Sequence, residues 1–373
     1  MELDLLRPLY AGEATVASVH LDTSREDQDA DKRLEVTWRE LRGVLGEKGV
    51  DAETLAVLDE AVGGSPHVVG PQGESLFAAE GRLLGAFTLS VPPAASRVAL
   101  GAVADPLDTV LDLDHQEPYV VVALDRAGGD IDAYPAGAFD PATSRTYDGS
   151  TLHLTRVRAG GNSMASYHRR AKNVWSENAA GVAAEIAEAA EEVGARLVLV
   201  GGDPKAVGVL RLAFERVSLP VRMVEVAGGR GGGDAESSLR ASVDRALAEE
   251  SRASHLRAMD EYRQALGQGL AVQGITQVCE AFARGGVSAL MLSADRDLDP
   301  LLWGTFADPR MVGTAREALG EHAEDAFTAP AADLLLRAAV LTGATFGELL
   351  PDAADGAAAV AQDGCAAILR YAG

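Results

Sequence analysis

The sequence predicts an α/β protein built from three α/β domains, near residues 1–115, 116–233 and 234–373. Three observations carry this. A chain of 373 residues exceeds one ordinary domain of roughly 150. Short continuous apolar runs at 119–124, 197–200 and 287–292 read as strands covered on both faces. Segments of helical period lie between them, and such alternation of strand and helix makes a mixed or largely parallel sheet with flanking helices.

The first domain opens with an apolar strand at 16–21 and a very polar stretch at 22–33. Leu34, Trp38, Leu41 and Leu45 then recur at helical spacing. A second helix near 51–62 and β-like pieces at 68–69, 76–77 and 84–89 complete a small unit with a helical hairpin, and Pro92, Pro93 and Pro106 mark its exit. In the second domain, the strand at 119–124 meets a hairpin partner at 131–134, and another strand is expected at 152–157. A long helix follows at 163–193, then the strand at 197–200, a helix from 204 to 216 and a strand at 221–226. Asp203 before Pro204 is an ordinary helix start. Gly228 to Gly233 reads as a hinge, because it has neither the spacing of a dinucleotide loop nor the Gly-Lys-Ser/Thr ending of a P-loop. Beyond it come a long charged helix at 235–265, a helix at 273–284, the strand at 287–292, helices near 311–319 and 330–342, and a last strand at 366–371.

Composition narrows the function. Lys and Arg number 33 against 56 Asp and Glu, a net charge of −23, which argues against a generic nucleic-acid binder and against DNA as a partner. Cys279 and Cys365 have no metal-site or redox spacing and read as small buried hydrophobes. No apolar run spans a bilayer and the N-terminal residues do not resemble a signal peptide, so a cytoplasmic protein without a membrane partner is expected. Asp295, Asp297 and Asp299 alternate like the start of a calcium loop, but Pro300 stands where the glycine belongs and no closing Glu follows. No nucleophile–base arrangement is present, the seven histidines are scattered, and neither a catalytic residue, a cofactor nor a metal ion is assigned.

One segment departs from this acidic background. From Gly149 to Ser176 there is no Asp or Glu, while the same window holds Arg156, Arg158, Arg169, Arg170, Lys172, His153 and His168. At its centre stands Gly160-Gly161-Asn162-Ser163. Glycines suit a backbone that must approach a partner closely, and Ser163 is placed to cap the following helix. His168, Arg169 and Lys172 are linked by three- and four-residue steps and so share a helical face, with Tyr167 and Trp175 available for stacking on bases. An exposed glycine tip at a helix N-terminus, backed by cations, suits a phosphodiester backbone.

The run Arg158-Ala-Gly-Gly-Asn-Ser-Met-Ala-Ser-Tyr-His-Arg-Arg-Ala-Lys172 resembles the Arg-x-Gly-Gly-Gln-Ser loop and Arg-rich helix of the archaeal and eukaryotic class-1 release factors. The strand at 197–200 with Gly201-Gly202-Asp203 resembles part of that family's central domain. Arg284-Gly285-Gly286 and the strand after it resemble the start of the C-terminal domain shared with Pelota, which implies an α/β/α sandwich there. The resemblance covers roughly residues 116–373 and lies toward the branch that includes ribosome hibernation factors such as Balon. It implies a factor that occupies the A site of idle or stalled ribosomes, contacts rRNA, and works alongside elongation factor Tu. Two departures bear on activity. Where the family has glutamine, Asn162 is one methylene shorter, setting its amide ~1.5 Å back. The expected N-terminal tip, 25–31, is acidic, unlike a surface that reads a stop codon among mRNA phosphates. Binding without efficient peptide release is therefore expected, with a peptidyl-tRNA or tRNA-end hydrolase or nuclease using the same loop as the alternative.

Overall fold

A computed structural model describes residues 1–371 apart from 26–28, 65–69, 151–162, 218–219, 296–298 and 351–360; for 163–172 and 217 it describes backbone alone. The chain divides into two compact units, one made of residues 1–115 with 253–373, the other of residues 116–252.

The first unit begins with β1 (Val16–Asp22), α1 (Ala30–Glu47), α2 (Ala52–Ala61), β2 (Gly73–Ala79), β3 (Arg82–Leu89), β4 (Arg97–Gly101) and α3 (Leu107–Asp114). Its antiparallel sheet runs in the order β3-β2-β1-β4. Strand β1 alternates: Ala17, Val19 and Leu21 face Trp38, Leu45, Leu55 and Leu58 of the helical hairpin. Of the acidic tip expected at 25–31, residues 26–28 lie outside the described residues, and Arg25 is paired to Asp31. Sequence periodicity missed β4 and α3, whose short runs between prolines and glycines carry little pattern of their own.

The second unit contains β5 (Tyr119–Leu124), β6 (Gly128–Tyr134), β7 (Thr143–Asp148), α4 (Ser163–Val193), β8 (Leu197–Gly202), α5 (Pro204–Val217), β9 (Arg222–Val226) and most of α6 (Asp234–Gly267). Its five-stranded sheet has the order β7-β6-β5-β8-β9. Strands β5, β8 and β9 are parallel, while β6 and β7 return antiparallel, so the sheet is mixed. The buried strands are covered on both faces. Val120, Val122, Val198 and Val200 pack under Val182, Ile186 and Leu210 of α4 and α5, while Leu197 and Leu199 face Leu239 and Val243 of α6.

From Ala253 the chain belongs to the first unit again, adding β10 (Ala271–Gln273), α7 (Ile275–Ala283), β11 (Val287–Leu292), β12 (Leu301–Gly304), β13 (Val312–Gly313), β14 (Phe327–Pro330), α8 (Ala331–Thr342), β15 (Thr345–Glu348) and β16 (Cys365–Leu369). The sheet β10-β16-β11-β15 is an α/β/α sandwich. Leu290, Leu292, Cys365 and Ala367 face α7 and α8, whereas Met291 and Ala366 face Met259 and Tyr262 of α6. The same core continues through Leu6, Leu9, Phe77 and Val110, so the N- and C-terminal segments share apolar packing. Where a helix near 311–319 is expected, the chain forms β13 and a 3-10 segment, Arg316–Asp325. Asp299 accepts the Ala332 amide at 2.8 Å and serves the start of α8, while Asp297 lies outside the described residues. Both cysteines are free and buried, and burial pushes the Cys279 thiol up to about 12, as an apolar side chain would behave. No described helix is long and apolar enough to cross a membrane.

Candidate functional site

The acid-free segment occupies the connection from β7 to α4. Arg156, Arg158, Gly160, Gly161 and Asn162, with the strand expected at 152–157, lie outside the described residues. Ser163 opens α4, and Tyr167, His168, Arg169, Arg170 and Lys172 follow within its first turns. Ser163 to Lys172 thus lie on consecutive turns of one helix. The third strand of the antiparallel arm is β7, in a passage whose polar sequence, Thr-Ser-Arg-Thr-Tyr-Asp, shows no apolar face.

What the sequence does not announce is how the segment's roots are held. Gly149 donates its N–H to Ala127 O at 2.8 Å. Asn178, buried in α4, accepts the Ser150 N–H at 3.0 Å and donates to Ser150 O at 3.1 Å and to Arg126 O at 3.0 Å. One side-chain amide thus supplies both hydrogen bonds that a neighbouring strand would give Ser150. A Cβ on Gly149 would lie 2.1 Å from Asn178 Oδ1, so the close approach demands glycine. The first root is thereby tied to the fifth turn of the helix that forms the second. Each buried hydrogen bond of this kind contributes about 1 kcal/mol, and leaving one partner unmet costs about 1–3 kcal/mol. The sequence shows only an Asn at the head of an Ala-rich helical stretch.

Beside this clamp, Arg126 lies 4.9 Å over the Trp175 ring and donates to Asp203 at 2.7 Å. Trp175 is half-buried, with Arg126 over its ring. Asp203 also accepts the Lys205 and Ala206 amides at 2.9 and 3.2 Å, capping α5. Desolvation raises its pKa, but the Arg126 hydrogen bond, the two amides and the Arg126 charge together hold it below the ordinary value. Arg230 reaches Asp130 and Asp148, both at 2.9 Å, and its guanidinium is held charged, first by the Asp130 hydrogen bond. Asp148, the last acid before the acid-free segment, is thus paired with a guanidinium that it shares with Asp130 and, at 3.7 Å, Asp125. The glycine-rich run delivers Arg230 by close packing. A Cβ on Gly228, whose φ is +93°, would meet Leu239 N at 2.3 Å, and one on Gly229 would meet Gly202 Cα at 2.7 Å. Composition alone suggested a hinge there, yet only Gly231 to Gly233 are exposed.

Residues 118–268 match the family described as bacterial archaeo-eukaryotic release factor family 2. This segment is similar to members of that family. The release-factor-like match begins beside β5 and ends just past α6, taking in the clamp, the acid-free segment and α4. Uncharacterized proteins from two strains of Mycobacterium tuberculosis are each 28% identical over 332 residues, covering 87% of this chain and 84% of theirs. Among solved structures, a translation termination-like factor of S. cerevisiae is 8% identical, covers 98% of this chain and 90% of its own, and has a TM-score of 0.39. Ribosome-bound archaeal Pelota is 12% identical over 100% and 96% of the chains, at a TM-score of 0.38.

Proposed function

We propose that the protein binds ribosomes through residues 149–176 of its release-factor-like segment, as a hibernation or rescue factor of idle or stalled ribosomes. The observation that carries this is the acid-free, cation-rich segment, mounted on a release-factor-like domain and rooted by Asn178 in a chain of net charge −23. On this reading, the tip Gly160-Gly161-Asn162 points along the A site toward the peptidyl-transferase end, Arg156, Arg158, Arg169, Arg170 and Lys172 meet rRNA phosphates, and elongation factor Tu is a partner on the same ribosome. Asn162 falls ~1.5 Å short of the glutamine position, and a misplacement near 1 Å costs on the order of a hundredfold in rate, so the factor blocks the site without efficient peptide release.

Pelleting with purified ribosomes across a salt series tests the reading. Wild type is expected to co-sediment, and replacing Arg169 and Arg170 with Glu is expected to weaken binding and flatten its salt dependence by about 0.7–0.9 per lost phosphate contact. An unchanged slope would remove this segment from the interface, and absence of ribosome binding would end the proposal. Release of labelled peptide from programmed ribosomes is expected near background, whereas robust release abolished by Asn162→Ala would make the protein a peptidyl-tRNA hydrolase.

A further inference from the structure

Three residues far apart in sequence converge in the first unit: His115, at the end of α3, His255 in α6, and Glu348, at the end of β15. One imidazole nitrogen of each histidine and one Glu348 oxygen all lie within 4.8 Å of one another. The rings stand 4.2 Å apart, centroid to centroid, and His115 Nε2 is 2.6 Å from Glu348 Oε2. Asp114 borders the group. Its Oδ1 takes the Met1 α-amine at 3.2 Å, and its Oδ2 takes the Glu348 amide at 2.9 Å and sits 3.3 Å from His255 Nε2.

The surroundings are those of a coordination site. His255 is 4% exposed, and the contact of its Nε2 is an ion pair with Asp114 Oδ2 at 3.3 Å. A buried imidazole needs polar or metal partners, and one nitrogen of His255 lies within 4.8 Å of both the His115 and Glu348 donor atoms. Glu348 is buried as well, whereas His115 is exposed and leaves an entry path for an ion. Four donors around one ion at 2.0–2.2 Å stand roughly 3.4 Å apart, so bond formation needs only that His115 and Glu348 part slightly and the other pairs draw in. Two imidazoles with a carboxylate are a borderline-soft donor set, which favours zinc over magnesium or calcium.

We propose that His115, His255 and Glu348 bind one divalent transition-metal ion, zinc by ligand preference, with Asp114 or water in the fourth position. The ligands come from three elements of a discontinuous unit, so the ion fastens the N-terminal segment to the C-terminal one. No local spacing announces it, because the intervals exceed ninety residues.

The test uses the full-length protein, stripped with a chelator and titrated with zinc chloride by calorimetry, with cobalt(II) as a spectroscopic probe. The expected result is one saturable ion per chain, visible cobalt bands of low-coordinate intensity, and a melting temperature that rises with zinc concentration. His115→Ala and Glu348→Gln are each expected to weaken binding at least tenfold and to remove the cobalt bands. If His115→Ala melts early without metal, His115→Asn keeps a polar group at that exposed position and is read instead. Binding that does not saturate near one ion per chain, or that is equally tight in both variants, overturns the proposal and leaves the cluster as ion pairs.

Discussion

Asp203 performs two tasks with one carboxylate, capping α5 through Oδ1 and holding Arg126 through Oδ2. Its pKa is depressed in the folded chain, so its contribution is fully present above the unfolded carboxylate value and is lost as pH falls through the lower folded one. Asn at this position keeps the cap and loses the charge. Asp203→Asn is therefore expected to melt below wild type at neutral pH, with the gap closing as acidification protonates the native carboxyl. A gap that stays constant from pH 7 to pH 3 would show that the charge carries no part of the stability. At this scale the sequence disclosed the cap, since Asp before Pro is a local pattern, but not the partner, since Arg126 lies 77 residues upstream. The same holds for Asn178, which meets Ser150 only because α4 folds back along β7. Side chains that act through distant backbone leave no spacing to read.

Helix α4 was legible almost to the residue, because both its cationic first turns and its alanine-rich remainder are good helix formers. Its end is set by Gly194, at φ +70°, after which the Ala195 N–H returns to Ala190 O at 2.8 Å. A Cβ there meets nothing within 4 Å, so the cost of substitution is conformational rather than steric. Gly194→Ala is expected to destabilise the second unit by about 1–2 kcal/mol, measured by urea unfolding, with ribosome binding unchanged. Strand β7 is the contrary case. Its Arg145 is tied to Glu185, Glu188 and Glu192 of α4, so partners in another element, rather than an apolar face, fix a strand that reads as loop. The small sheet β13-β12-β14 was missed for a related reason, its strands being two to four residues long.

The two units differ in how their chain is distributed. Residues 116–252 are continuous and carry covering helices on both faces of their sheet. Expressed alone, they are expected to give a cooperative melt and a dispersed amide spectrum. Residues 1–115 alone would leave Leu6, Leu9, Phe77 and Val110 without the C-terminal residues they pack against, and are expected to aggregate unless 253–373 is supplied. A soluble, cooperatively melting 1–115 fragment would show that the shared packing is dispensable. The strand–helix alternation of the middle and C-terminal segments was readable because parallel strands covered on both faces are continuous apolar runs. The joint packing of the two chain ends was not, since nothing in local pattern says which apolar face meets which.

That shared core also imposes an order of events on a growing chain. Residues 1–115 leave the ribosome before the middle unit, yet the surface that completes their packing is translated after it. At ~5–20 residues per second, the middle unit alone takes about seven to thirty seconds to make. During that interval the early segment must wait with an apolar face uncovered, while the segment behind it has everything required to fold. Slow codons, chaperone supply or temperature during synthesis would then bear on the first unit far more than on the second.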